Sequence, residues 1–185
     1  IAIYGAVIAV FIMVFVYSRF KKIPMGALTD MGVMGLLIGQ AIGRWGNFMN
    51  REAHGGVTDS FLRMGLIEGG KQIYVHPTFL YESLWNAVGL LLLHFLSKKR
   101  KFDGQVFLYY LAWYGLGRAM IEGLRTDSLW WGNFRVSQVL AAASCLAAVI
   151  LLMVMAFRPH DPADLFVNKL AAKKAAAEAE TESEA

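Results

Sequence analysis

Three stretches place ionisable and amide side chains beside apolar segments. The first is GRWGNFMNREAHGG, Gly43 to Gly56, with Arg44, Asn47, Asn50 and Glu52 set among glycines. The second is GLGRAMIEGLR, Gly115 to Arg125, in which Arg118, Glu122 and Arg125 fall at i, i+4 and i+7, one stripe of a helix. The third is VHPTFLYES, Val75 to Ser83, which adds His76, Tyr81 and Glu82. Arginine offers a planar fork of donors that suits a phosphate. Two arginines on separate segments, with amides and acids around them, are a means of holding an anionic lipid headgroup from within a bilayer.

Each group also has a bland reading. Arg44 can snorkel to headgroups, but snorkelling does not call for Asn47, Asn50 and Glu52 beside it. Arg44 and Asn47 are i and i+3, so they share a face if the helix runs that far. Arg118 lies thirteen residues into its apolar segment, about 20 Å along a helix. Unpaired, it would be costly there, so Glu122 is its expected partner. A purely structural ion pair is the alternative, although two arginines and one glutamate leave a positive charge over. His76 is open between a structural and a functional role, and Glu82, just inside an apolar stretch, is not expected to be idle. Gly46 and Gly55 suit tight turns or close approach of a ligand. Gly32, Gly35, Gly39 and Gly43 form a ridge along which another helix can come close.

These residues need membrane segments to position them. The chain has 185 residues, 57% of them hydrophobic, and a mean hydropathy of +0.46. The apolar residues cluster into blocks that suit spans of ~20 residues. Five are expected: Ile1 to Tyr17, about Ala27 to Ile42, about Phe79 to Leu96, about Gln105 to Ile121, and about Val136 to Phe157. The fold class is therefore an all-α polytopic membrane helix bundle. The basic loops Ser18 to Lys22 and Ser97 to Gly104, with Arg158 and the lysines beyond it, alternate along the chain. The positive-inside rule makes their side cytoplasmic. Arg44 to Thr78 and Thr126 to Arg135 then face outward, with Trp130 and Trp131 in an interfacial aromatic belt. Residues 1–158 form the transmembrane domain, with an outer segment at about 48–78. Residues 159–185 form an Ala/Lys/Glu-rich tail, a solvated helix or disorder. The chain opens inside an apolar block without a basic n-region or small-residue cleavage site, so a fragment is expected rather than a cleavable signal peptide.

Cys145 is the sole cysteine, so no disulfide and no thiolate metal site is expected within the chain. No P-loop, HExxH or GxSxG pattern occurs. The aspartate-rich motif of Mg²⁺-dependent enzymes acting on lipid phosphates is missing too. No metal, cofactor or nucleic acid is expected as a partner.

GRWGNFMNREAHGG closely resembles the signature of the prolipoprotein diacylglyceryl transferase family, Gly-Arg-x-Gly-Asn-Phe-x-Asn-x-Glu-x-x-Gly. Arg44, Asn47, Asn50, Glu52 and Gly55 fall on its fixed positions. HPTFLYES and YGLGRAMIEGLRTD resemble two further blocks, and IAIYGAVI resembles the stretch after the family's His-Gly-Gly-Leu motif. The similarity runs over about Ile1 to Phe157. It implies a bacterial inner-membrane enzyme of about seven spans with its site towards the periplasm. It also implies transfer of diacylglyceryl from phosphatidylglycerol to the lipobox cysteine thiol of a preprolipoprotein, forming a thioether and releasing glycerol phosphate. On that resemblance Arg44, Arg118, Asn47 and Glu52 are catalytic candidates. Asn50, Gly55, His76, Tyr81, Glu122 and Arg125 join Arg44 in binding substrate, while Glu52 and Glu122 hold the arginines or the glycerol headgroup. The family's first two spans and its His-Gly-Gly-Leu histidine, proposed to help deprotonate the thiol, precede the point at which this sequence starts. The resemblance thus implies incomplete catalytic machinery. Alternatives are a non-catalytic anionic-lipid-binding membrane protein and a phosphatidylglycerol-dependent transferase with another acceptor.

Overall fold

The computed structural model describes residues 2–126, 129–132 and 134–183. Asp127 of the third resembling block, with Ser128 and Asn133 of the adjoining loop, lies outside the described residues, as do residues 1, 184 and 185. The described residues form helices α1 (Ala2–Lys21), α2 (Met25–Asn50), α3 (Thr78–Ser97), α4 (Gln105–Glu122), α5 (Val136–Ala156) and α6 (Phe166–Ser183). The first five coincide with the expected spans. Among the described residues α2, α3 and α5 are long and apolar enough to cross a membrane. α4 is 18 residues long and carries Arg118 and Glu122, the groups that lower its apolar character. Large side chains are turned outward at mid-helix: Phe11 and Phe15 on α1, Leu91 and Phe95 on α3, Leu146 and Met153 on α5, each 52–63% exposed. Helices that satisfy their own backbone and present apolar faces outward are suited to lipid as solvent. The protein is an all-α membrane helix bundle.

α2 extends eight residues past the expected end at Ile42, through the polar signature to Asn50. Arg51 then adopts a left-handed conformation (φ 56°) and its N–H bonds to the Asn47 and Phe48 carbonyls, a C-terminal cap that satisfies orphan acceptors. Arg44 and Asn47 are thus on one helix. Between α2 and α3, an antiparallel hairpin forms from β1 (Met64–Glu68) and β2 (Lys71–Val75). Its two-residue loop, Gly69–Gly70, has φ of 58° and 78°, the positive pair that twisted hairpins require. A two-residue pairing of β3 (Trp130–Trp131) with β4 (Phe134–Arg135) leads into α5.

α3 packs against α2 and α4, and α5 lies along α4. A core of Val33, Leu37, Leu93, Val106 and Tyr110 joins α2, α3 and α4. The buried Asp30 of α2 accepts from the Gly104 and Phe107 N–H groups at 2.9 and 2.8 Å, so one helix caps the start of another. Between α3 and α4, Trp85 and Trp113 stack with centroids 4.3 Å apart. Each indole N–H donates to the other's carbonyl at 3.0 Å. Trp113 covers Gly89 and Trp85 covers Gly117, where an added Cβ would meet ring atoms at 2.4 and 2.1 Å. This reciprocal clasp fixes the axial register of α3 on α4 beside Glu82 and Arg118. The glycine ridge of α2 behaves differently from expectation. Among the described residues nothing lies within 4 Å of a Cβ placed at Gly32, Gly35, Gly39 or Gly43, because α2 turns Ala27, Asp30, Val33 and Leu37 inward instead.

Candidate functional site

Glu82 is the centre of the polar cluster. It lies in the second turn of α3 with its side chain 5% exposed. One carboxylate oxygen, Oε2, meets Arg44 Nη2 of α2 at 2.6 Å. The other, Oε1, meets Arg118 Nη1 of α4 at 2.8 Å and lies 3.7 Å from Arg125 Nη1. Arg118 turns its second nitrogen, Nη2, to Glu122 Oε2 at 2.5 Å, one helical turn on. The expected convergence of Arg44 and Arg118 therefore occurs, across a carboxylate that sequence reasoning had marked as unusual but had not placed in the site.

The burial gradient sets the electrostatics. The carboxylates are deepest, at 5% and 2% exposure, while the Arg44, Arg118 and Arg125 side chains are 20%, 15% and 11% exposed. Among the described residues Arg44, Arg118 and Arg125 surround the Glu82 and Glu122 carboxylates, and the positive groups are the outer layer. Each guanidinium carries five N–H donors, so Arg118 keeps donors beyond the two nitrogens aimed at Glu82 and Glu122. An anion arriving from the exposed side meets arginines already oriented by buried acids.

Neighbouring bonds hold this frame. The Trp45 indole donates to Ser83 Oγ at 3.2 Å, and Ser83 Oγ donates to the Ala41 carbonyl at 2.9 Å, tying α2 to α3 next to Arg44 and Glu82. Trp45, Phe48 and Phe79 pack ring to ring at 4.9–6.2 Å and make that side apolar. Arg135, which the sequence did not single out, donates through Nη1 to the Glu122 carbonyl. It also lies 4.9 Å above the Trp130 ring.

Asn47, Asn50 and Glu52 form a second, more exposed group. Both amides donate to Glu52 Oε1, at 3.4 and 3.0 Å. Glu52 is therefore held by amides, whereas Glu122 pairs with Arg118; each was expected to hold an arginine or the glycerol headgroup. His76 Nδ1 and the Tyr81 hydroxyl are hydrogen-bonded at 3.3 Å, a pair separate from the arginines. Gly55 is a backbone junction. Its N–H donates to the His76 carbonyl at 2.9 Å, and Gly56 N–H to the Leu124 carbonyl at 3.1 Å. A Cβ at Gly55 would meet His76 Cβ at 2.6 Å and the Leu124 oxygen at 2.9 Å. Thr78 Oγ1 donates to the Ala53 carbonyl at 2.5 Å, closing the same junction. The α2–α3 loop, the start of α3 and the end of α4 are thereby laced together around the cluster. Gly46 sits within α2, with nothing within 4 Å of a Cβ placed there.

The family model described as "Prolipoprotein diacylglyceryl transferase" matches residues 1–154. Curated relatives carrying the name phosphatidylglycerol–prolipoprotein diacylglyceryl transferase include one from Listeria welshimeri, 45% identical over 173 residues that cover 88% of this chain and 61% of the relative. One from Listeria monocytogenes serotype 4a is 46% identical over 169 residues, 85% of this chain and 59% of the relative. One from Bacillus cytotoxicus is 43% identical over 166 residues, 83% and 60% respectively. The chain spans about three fifths of the length of these relatives.

Proposed function

Because this chain belongs to the prolipoprotein diacylglyceryl transferase family, we propose that it supplies the anion-stabilising part of a site that moves diacylglyceryl from phosphatidylglycerol to a lipobox cysteine thiol. The supporting observation is the Glu82 carboxylate held between Arg44 and Arg118, with the guanidinium groups on the outer side. In the reaction the thiol sulfur bonds to the glyceryl carbon that bears the phosphate. The C–O bond breaks, its electron pair stays on the phosphate oxygen, and glycerol phosphate leaves. The thiol proton passes to a base. Charge grows on the phosphate as the bond breaks, and donors fixed beforehand stabilise it without reorganising. Arg44 and Arg118 supply those donors, and Arg125 adds to the field. Glu82 and Glu122 hold the arginines in place. Asn47, Asn50 and Glu52 form a polar rim suited to the glycerol hydroxyls, with His76 and Tyr81 beside the acceptor peptide.

On this reading residues 1–158 are the transferase domain and residues 159–185 a cytoplasmic tail. The protein is a multi-pass component of the bacterial inner membrane, and the arginine cluster faces the periplasm. The test uses full-length protein containing this chain, vesicles of phosphatidylglycerol and a lipobox peptide. The diacylglyceryl thioether should appear by mass and vanish when the peptide cysteine is replaced by serine. Bound lipid without thioether would support the non-catalytic alternative, and product surviving the serine change would support another acceptor.

A further inference from the structure

We propose that the opposite end of the bundle holds a second anion site, which takes a phosphate group such as that of an anionic phospholipid headgroup. Lys99 lies seventeen residues beyond Glu82, about 25 Å further along the direction of α3. There a cavity of about 380 Å³ is lined by Lys99, Arg100, Lys101, Arg158, His160 and Pro162. Four cationic side chains from two chain segments, the α3–α4 turn and the end of α5, thus face one space.

A basic loop is ordinarily a solvated face that orients a membrane protein. Two features separate this cavity from that. First, among the ion pairs of the described residues, none involves Lys99, Arg100, Lys101 or Arg158. The acids of this end hold backbone amides and keep their charge, and Asp103 Oδ1 has no hydrogen-bond partner among the described residues. Asp30 accepts the Gly104 and Phe107 amides, and Asp103 Oδ2 accepts the Phe166 amide at 3.0 Å. Asp161 accepts the Ala163 amide at 2.8 Å, and Asp164 pairs with Lys169 at 3.0 Å. Second, the walls are built. His160 stacks on Phe102 with centroids 5.0 Å apart. Its Nε2–H donates to the Met155 carbonyl at 2.7 Å. The Lys101 N–H donates to the buried Gln105 Oε1 at 2.6 Å. Phe102 and Asp103 therefore anchor the α3–α4 turn to the end of α5 and the start of α6, and Gln105 closes the turn on itself. Basic pockets between membrane helices suit phosphate headgroups, and two arginines supply the fork geometry. The proposal is independent of the chemistry assigned to the Glu82 end.

The test is native mass spectrometry of the full chain in detergent, titrated with dioleoyl phosphatidylglycerol, dioleoyl phosphatidylcholine or sodium phosphate. We expect phosphatidylglycerol adducts without phosphatidylcholine adducts, and one lipid bound at least about tenfold more weakly in Arg100→Gln/Arg158→Gln. Retention of that lipid in millimolar phosphate assigns the site to a bilayer headgroup. Displacement, with phosphate binding lost in the double variant, assigns it to free phosphate. As a check that needs no variant, phosphatidylglycerol with a photoactivatable headgroup should label wild-type peptides within 97–104 or 156–162. Unchanged lipid affinity in the folded double variant, or labelling confined to residues around Arg44 and Arg118, would overturn the proposal.

Discussion

Replacing Glu82 with glutamine should separate the binding of an anion from chemistry on it. The wild-type carboxylate holds Arg44 at 2.6 Å and Arg118 at 2.8 Å, and its side chain is only 5% exposed. Glutamine keeps the shape and one acceptor oxygen but loses the charge. Among the described residues Glu122 is then the remaining acid paired with these arginines. Removing one partner of a buried ion pair costs about 3–5 kcal/mol. The arginines are 20% and 15% exposed, so water softens the loss and the lower figure, about 3 kcal/mol, is the better scale. Expressed fully in the chemical step, that is about a hundredfold in kcat. Affinity for phosphatidylglycerol should hold or rise, because the site has gained a net positive charge. Glu82→Asp restores the charge, yet its shorter side chain cannot reach both arginines and should recover the rate only in part. The assay is initial thioether formation at several lipid concentrations with full-length protein, alongside membrane yield and thermal unfolding. A folded Glu82→Gln protein with kcat within about threefold of wild type, or one that loses lipid affinity at unchanged turnover, would refute the positioning role on the stated free-energy scale.

The clasp between α3 and α4 should be sensitive to a single methyl group. Gly117→Ala places a Cβ 2.1 Å from Trp85 Nε1, and overpacking of this kind should cost about 1–3 kcal/mol in thermal unfolding. An unchanged melting temperature would show that the clasp is loose. Glu52→Gln removes the charge that gathers the Asn47 and Asn50 amides. Because the group is exposed, it should slow thioether formation by about tenfold with little change in stability; equal losses of both would mark Glu52 as structural. Orientation is tested with single cysteines after Cys145→Ala. A cysteine at position 65 should be labelled from outside intact spheroplasts and one at 99 should not, since the basic loops alternate, and the reverse pattern would invert the topology.

Much of the bundle was legible because membrane spans declare themselves by length and hydropathy. The Arg118–Glu122 pair follows from i, i+4 spacing on one helix. The i, i+3 relation of Arg44 and Asn47 became real once α2 continued to Asn50. Glu82 was harder to place. That its carboxylate joins α2 to α4 depends on how three helices pack, and the sequence shows only an acid inside an apolar run. For Glu52 a hold on the arginines or on the glycerol headgroup was open, and the structure gives it amide partners among the described residues. The left-handed Arg51 ends the helix, and Glu52 folds back on Asn47 and Asn50. The periodic glycines of α2 drew attention as a packing ridge, whereas close packing occurs at Gly89 and Gly117, whose partners are tryptophans on another helix. The hairpin did leave a signal, a Gly-Gly pair inside GLIEGGKQIYV, which the reading of that stretch as an outer loop passed over.

On the proposed reading Arg44 and Arg118, on the two arms of Glu82, act on one phosphate. The decisive measurement is a double-mutant cycle with Arg44→Lys, Arg118→Lys, the two alanine variants and both doubles. All are read by initial thioether formation in full-length protein of verified fold. Each alanine change should cost about 2–4 kcal/mol of transition-state stabilisation, the scale of one preorganised donor. Lysine should recover little of this, because it keeps the charge but lacks the planar fork. The double variants should lose less than the sum of the singles, as residues acting on one group do. Near-wild-type rates for both lysine variants, or strictly additive alanine losses, would contradict the shared phosphate and leave the pair a structural one.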